Sequence, residues 1–587
     1  MLGRSLLSVG FAVAVWAGGT APLSAQMSET AALAPAIAPD HWLTTLLRKE
    51  DAAHYRKILV LQRDGHWAEA DKQIALLEDP LLMGHVKAQR YLHPTAYRSR
   101  YSELKAWLDT YADHPQAEKI HTLALRRKPK GSASPRKPTG EILKGYAHTD
   151  RILGGPRAER LSSSQRALER KITKALRRGY TLVVKRYLQD RKTRSTLPII
   201  TVDRLKASLA MGYFGDNRDE WAYQWAVEST RSASLLPQTH WVAGLAAWRL
   251  QKYPEALAHF AQVAEHEHAS SWLKAGGAFW AARAALWTHK PEDVNRWLKK
   301  ASAYPRTFYG LLAIRVLALY PQLDLSKPDL HRGVVDQIAR TKNGRRALAL
   351  IQVGEPNMAQ QELDFLARDS DGAMRQGILA VAAETGMANL AAKLSAREAR
   401  RGVKRSDVLA YPIPNWQPIG GYVYDKALIF AIARQESAFR ADAESWAGAR
   451  GVMQLMPATA RFVAKNSQLG SGAARRLDEP RVNVHLGQRY LDYLLNDRKV
   501  GDNLFYVLGS WNAGPGNVHK WQETLRSSHD PLMFIESIPL AETRDFIERV
   551  MANLWIYRLR MGQPAPSLDA LAAGKWPAYV AMDGRKL

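Results

Sequence analysis

The chain has 587 residues, no cysteine, and 83 Lys and Arg against 56 Asp and Glu, for a net charge of +27. That length exceeds the roughly 250–300 residues at which a single core stops growing, so several domains are expected. An apolar fraction of 46% excludes disorder by composition, and the lack of cysteine excludes disulfides and thiolate metal sites. The cationic excess suits either a polyanionic partner or a merely solvated surface.

The first residues stand apart. Arg4 gives a positive start, Leu6 to Ala17 is almost wholly apolar, and Leu23-Ser24-Ala25 offers small residues for cleavage. This is the three-part pattern of a secretory signal peptide, which predicts a leader over 1–25 and a mature start at Gln26. No cysteine stands at the cleavage point to carry a lipid. No interior run approaches the roughly 20 apolar residues of a membrane-spanning helix. An exported, soluble protein without a membrane anchor is therefore expected.

From Trp42 to about Pro321 the apolar periodicity predicts helix after helix. Gly65-His66-Trp67-Ala68-Glu69-Ala70 joins two such helices, and Gly244 to Leu250 leads through Lys252-Tyr253-Pro254 into Glu255 to Phe260. Small residues let paired helices approach while aromatics fill the gaps, as in tetratricopeptide-like units, although the period is irregular. Stacked pairs must cover one another's apolar faces, so an α-solenoid over 26–343 is the predicted architecture. Within it, Arg126 to Gly140 is rich in Pro, Gly, Ser and cations and reads as a mobile basic loop. The basic stretch from Arg157 to Arg194 is the place expected to meet an anionic polymer. Short helices continue over 344–410. Pro412, Pro414 and Pro418 then break any helix and mark a boundary, leaving 411–587 as a compact C-terminal domain.

The chemistry concentrates in that domain. Asp425 to Phe439 reads as an apolar helix on which Leu428, Ile432 and Glu436 share a face at i, i+4 and i+8. A carboxylate on such a face loses water and favours its protonated form, which is what a general acid needs. A glutamate there can equally snorkel outward or pair with Arg434 or Arg440. Three further segments follow: Gly448 to Pro457 (GARGVMQLMP), Gly509 to Gly516 (GSWNAGPG), and Glu536-Ser537-Ile538-Pro539 with Glu542-Thr543-Arg544. They combine tight turns, amides and an aromatic, groups that stack on sugar rings and bond their hydroxyls and N-acetyl groups.

In this order and spacing, the four segments resemble the soluble lytic murein transglycosylases, relatives of goose-type lysozyme. The resemblance is specific over the C-terminal domain and looser over the N-terminal helices, where it rests on segments such as Tyr304 to Gly310 (YPRTFYG). It implies a mainly α protein, with an N-terminal α-superhelix followed by a lysozyme-like, predominantly helical catalytic domain. It implies Glu436 as the single catalytic acid and base, cleaving the β-1,4 bond between N-acetylmuramic acid and N-acetylglucosamine to leave a 1,6-anhydro product. Ser445, Gln454, Met456, Trp511, Asn512 and Glu542 are implied as substrate-binding. No metal or cofactor is implied, and the partners would be peptidoglycan strands in the periplasm, with proteins of wall synthesis or recycling, rather than nucleic acid.

The residues themselves leave alternatives open. Paired-carboxylate glycosidases hold two acids about 5–5.5 or 6.5–9.5 Å apart. Asp442 and Glu444 lie in a polar stretch, whereas Glu542 stays a candidate second carboxylate. A hydrolytic muramidase and a non-catalytic peptidoglycan-binding scaffold are the rival functions. Trp511 and Phe546 stand where the family usually has tyrosine, so a phenolic hydrogen bond near the acid is expected to be lost. His266-Glu267-His268 lacks the histidine spacing of a zinc helix, and Asp369 to Gly372 reads as a plain turn.

Overall fold

The computed structural model describes Leu43 and residues 45–140, 160–464, 476–525 and 529–583. The signal-peptide segment and the start of the Arg157–Arg194 stretch lie outside these residues. Among them the chain is helical, with only isolated bridges such as Glu444 to Arg450 and Arg450 to Leu455, so the mainly α expectation holds.

Contacts divide the described residues into two compact units, one drawn from within 32–148 and 324–416, the other from within 149–323 and 417–587. The change at Gln417 falls within the proline-rich segment that ends at Pro418.

In the first of these units, Tyr55, Ile58 and Leu59 of the Lys49–Arg63 helix bury against Leu348, Leu350, Leu363, Leu379 and Leu390. Its interior also holds a polar cluster. His85 Nε2 lies 2.8 Å from Glu362 Oε1, and the Arg346 Nε donates to the same oxygen at 2.7 Å. The basic segment anticipated as a mobile loop begins inside the Ala117–Arg127 helix, and from Lys128 to Gly140 has no regular structure. It is tethered nonetheless: Tyr101 donates to the Ala133 carbonyl, Arg136 to the Asp109 carbonyl at 3.0 Å, and Thr139 N–H to the Ala112 carbonyl at 2.8 Å.

In the other unit, consecutive helices that pack on their neighbours run from Ser163–Arg177 to Phe308–Val316. Glycines set their approach. A Cβ at Gly244 would lie 2.7 Å from the Phe260 ring, and one at Gly277 would lie 2.8 Å from the Ala264 backbone nitrogen. The Gln238–Arg249, Tyr253–Glu265 and Ser271–Trp287 helices can pack this tightly only because those side chains are missing. His266 caps the Tyr253–Glu265 helix and meets the Ala233 carbonyl at 2.7 Å. Asp371, in the first unit, caps the Gly372–Glu384 helix by accepting the Met374 N–H at 2.8 Å. Both decoy motifs are thus helix ends.

The Phe308–Val316 helix meets the C-terminal helices of the same unit. Phe308 stacks on Trp555 with centroids 5.2 Å apart, and Tyr309 donates its hydroxyl to Glu536 Oε1 at 2.6 Å. Arg283 pairs with Asp530 at 2.7 Å and Arg315 with Asp569 at 2.5 Å. These contacts join residues 149–323 to the domain that carries Glu436.

Candidate active site

Lys426–Ser437 forms the predicted helix, with Leu428 and Ile432 fully buried. Asp425 precedes it, and its carboxylate is spent on tertiary contacts: Arg558 Nη2 at 2.5 Å and the Met582 N–H at 2.7 Å. At the other end, Ala438 (φ 52°) and Phe439 (φ 65°) both enter the left-handed region. For side-chain-bearing residues this costs about 1–2 kcal/mol each. The helix is thereby stopped within two residues of Glu436, and the chain is turned beneath it.

Glu436 is half-buried as a residue, yet its carboxyl is packed in protein, and that desolvation pushes it up to about 8. A hydrogen bond from Trp511 opposes the shift, and the charge of Glu542 adds to it. The hydrogen bond runs from Trp511 Nε1 to Glu436 Oε1 at 2.9 Å. This corrects the expectation that replacing the family tyrosine removes a hydrogen bond to the acid: the indole N–H supplies one. Phe546 is buried at 4% exposure and has an apolar packing role. Arg434 turns to Asn553 Oδ1 at 3.0 Å, and Arg440 lies 3.8 Å from Asp442.

Ser437, next to the acid, donates from Oγ to the Val452 carbonyl at 2.7 Å. This ties the helix to the Gly448–Pro457 segment. That segment is a tight loop held from inside by Asn483, which is fully buried. Asn483 accepts from the Met453 N–H at 2.8 Å and donates to the Arg450 and Leu477 carbonyls at 3.0 Å. Gly451 has φ +79°, and a Cβ there would fall 2.1 Å from the Leu477 oxygen. No other residue fits.

The remaining predicted residues are placed as follows. Ser445 Oγ accepts from the Ala449 N–H at 2.9 Å, and Gln454 donates to the Ala443 and Gly451 carbonyls at 3.0 and 2.8 Å. In this structure both side chains hold the loop in shape. Gln454 itself sits at φ 49°. Met456 is 40% exposed, and the Pro457–Ala464 helix starts next to it. Asn512 Oδ1 accepts from Thr543 Oγ1 at 2.6 Å, which binds the Trp511 turn to the Ala541–Arg560 helix. Glu542 is exposed at that helix's start, as are Asp442 and Glu444 in their loop.

Sequence reasoning missed three contributors. Tyr490 lies against Trp511 with ring centroids 5.2 Å apart, Thr543 anchors Asn512, and Ser437 anchors the glycine loop. Ser437 and Thr543 each sit beside a residue already singled out, Glu436 and Glu542. Tyr490 is a tertiary partner with no local signal.

The arrangement is that of a desolvated carboxylic acid, oriented by one N–H donor and within electrostatic reach of the exposed Glu542. Because the indole N–H donates to Oε1, the protonated acid is expected to carry its proton on Oε2. Such a group can protonate a leaving oxygen and afterwards, as carboxylate, accept a proton.

Residues 418–533 match the family model of the Transglycosylase SLT domain. The chain is 36% identical over 146 residues to a soluble lytic murein transglycosylase of Escherichia coli (strain K12), covering 25% of this chain and 22% of the relative. It is 39% identical over 137 residues to one of Salmonella typhimurium, covering 23% of this chain and 20% of that protein. These alignments thus span under a quarter of the curated relatives' length. In overall fold it is similar to the crystal structure of an inactive mutant of lytic transglycosylase Slt from Pseudomonas aeruginosa. That likeness has 20% identity, covers 91% of this chain and 90% of that one, and has a TM-score of 0.51. The matched residues 418–533 carry the glutamate helix, the glycine loop and the Trp511 turn, so the likeness to the Transglycosylase SLT domain falls on the segment that holds the candidate site.

Proposed function

We propose that this protein is an exported lytic transglycosylase of peptidoglycan, working in the periplasm with Glu436 as its single acid and base. The observation that carries the reading is the desolvated carboxyl of Glu436, raised to about 8 and held by Trp511 Nε1 at 2.9 Å. The match of residues 418–533 to the Transglycosylase SLT domain supports it.

In the first step the Oε2 proton passes to the glycosidic oxygen between N-acetylmuramic acid and N-acetylglucosamine. The C1–O bond breaks, and positive charge develops at C1 of the muramic acid. Glu436, now a carboxylate, is stabilised by the Trp511 N–H. It then takes the proton of the muramic C6 hydroxyl as that oxygen bonds to C1. The ring so closed is a 1,6-anhydro sugar, and Glu436 ends protonated, ready for another turn. Water is neither consumed nor released. Attack by a tethered hydroxyl has the entropic advantage of an intramolecular reaction and needs no enzymic nucleophile. This fits the exposed position of Glu542, Asp442 and Glu444, none of which is buried beside Glu436 as a paired nucleophile would be.

The test is digestion of purified peptidoglycan followed by mass spectrometry. Products one water lighter at the muramic end are expected. Products with a free reducing muramic acid would establish a hydrolytic muramidase instead. Soluble product that persists with folded Glu436→Gln would remove this residue from the chemistry.

A further inference from the structure

The helices Ser163–Arg177 and Thr181–Gln189 carry a surface that the chemistry of Glu436 does not use. Residues 160–194 hold twelve Lys and Arg against two acids, Glu169 and Asp190. Both acids are already engaged: Glu169 pairs with Arg204, and Asp190 accepts the Thr193 N–H at 2.8 Å as a helix cap. Arg166, Arg170, Lys174 and Arg177 are exposed and recur at i, i+4, i+8 and i+11. That spacing gathers them within about 80° of the helix circumference. No acid among the described residues lies within ion-pair distance of any of the four.

This basic stripe runs into an apolar tip. A Cβ at Gly179, where φ is +74°, would meet nothing within 4 Å, so the turn between the two helices stands clear of the fold. Just after it Tyr180, Leu182 and Val183 are 54%, 57% and 40% exposed, while Val184 and Leu188 are buried and hold the helix down. Arg177 and Arg178 precede the tip, and Lys185 and Arg186 follow it. Trp221, also exposed, lies with its ring centroid 5.0 Å from Lys185 Nζ.

A merely solvated basic face has no use for large apolar side chains in its midst. A sugar polymer offers ring faces to aromatics but little to the branched chains of Leu182 and Val183. A bilayer with anionic head groups suits both parts. Its phosphates attract the stripe, and the apolar tip enters the boundary between head groups and acyl chains.

We propose that the stripe over residues 166–177 and the tip over 180–183 form a docking surface for a membrane rich in anionic phospholipid. The attachment is peripheral and reversible. It concerns where the protein works, and it stands or falls independently of the role of Glu436.

Flotation of the full chain with vesicles tests this. Phosphatidylglycerol vesicles should carry the protein, and phosphatidylcholine vesicles should not. Arg170→Gln with Lys174→Gln is expected to weaken binding roughly ten- to thirtyfold, and Leu182→Ser with Val183→Ser roughly tenfold. The same charge change at the Pro291–Ser302 helix, Lys290→Gln with Lys299→Gln, should leave binding within about twofold. Thermal melts establish that the variants fold. Failure to float with phosphatidylglycerol, or equal weakening by the Lys290 and Lys299 pair, would overturn the proposal. Undiminished binding by Leu182→Ser with Val183→Ser would overturn it too, and would leave a site for soluble polyanions in its place.

Discussion

Trp511 donates its indole N–H to Glu436 Oε1 at 2.9 Å, so the aromatic that faces the acid also favours the proton on its other oxygen, Oε2. The donor favours the carboxylate form, against burial, which favours the acid. Trp511→Phe keeps a ring and removes the donor. It is expected to lower kcat/KM roughly tenfold and to move the alkaline limb of the pH–rate profile upward. Trp511→Tyr, which offers a hydroxyl, should recover much of the loss. A profile unchanged in Trp511→Phe would show that the hydrogen bond does not act on the reaction.

The raised carboxyl of Glu436 makes two linked statements about pH. In the proposed reaction cleavage requires the acid form, so the rate should fall as pH rises through about 8. For stability, the folded value lies above the unfolded one, so the native state binds the extra proton. The associated stability is present at acidic pH below the unfolded value and is lost as pH rises through about 8. Glu436→Gln, neutral throughout, should therefore gain thermal stability over the wild type at pH 8.5 more than at pH 5. Melting curves at the two pH values measure this directly.

The buried His85, His114 and Glu362 cluster predicts acid sensitivity in the other unit. His114 is fully buried, and burial first, then neighbouring His85 and Arg346, hold its pKa well below the usual histidine value. A depressed histidine binds fewer protons folded than unfolded, so stability should decline as pH drops below about 6.5. The expected outcome is a falling unfolding midpoint between pH 7 and 5, with a shallower fall in His114→Gln. Parallel curves for both proteins would assign the acid sensitivity elsewhere.

Arg558 and Asp425 form an ion pair at 2.5 Å with both side chains buried. Removing one partner leaves the other charge without compensation, which costs about 3–5 kcal/mol. Arg558→Met should lower stability by that amount and loosen the start of the glutamate helix. Chemical denaturation gives the first quantity, and hydrogen exchange over Lys426–Ser437 gives the second.

Gly277→Ala offers a packing test away from the site. The added methyl would press on the Ala264 nitrogen and the Phe260 carbonyl oxygen, 2.8 and 2.9 Å away. Both are backbone and cannot step aside, so a loss of about 1–3 kcal/mol is expected. A neutral result in denaturant titration would mean that the helix pair has room to part.

Local features were legible in the sequence because their causes are local. The apolar spacing of Leu428, Ile432 and Glu436 placed a carboxyl on a buried face. What acts across the fold was not legible. Nothing near Trp511 announces that its nitrogen reaches Glu436, or that Tyr490 lies against its ring. Likewise, the packing of residues 149–323 with 417–587 depends on side chains such as Phe308 and Trp555, whose meeting no periodicity encodes.

That last contact constrains how the protein can be divided. A fragment beginning at the proline-rich segment would carry Glu436 and every loop around it, and would look complete on a sequence map. It would also uncover the Trp555 face that Phe308 occupies and leave Glu536, which is 2% exposed, without the Tyr309 hydroxyl. The region that carries Glu436 is therefore packed on the helices that precede it. Recombination or proteolysis at the prolines would yield a sticky, acid-bearing remnant, and heredity must transmit the preceding helices along with the chemistry.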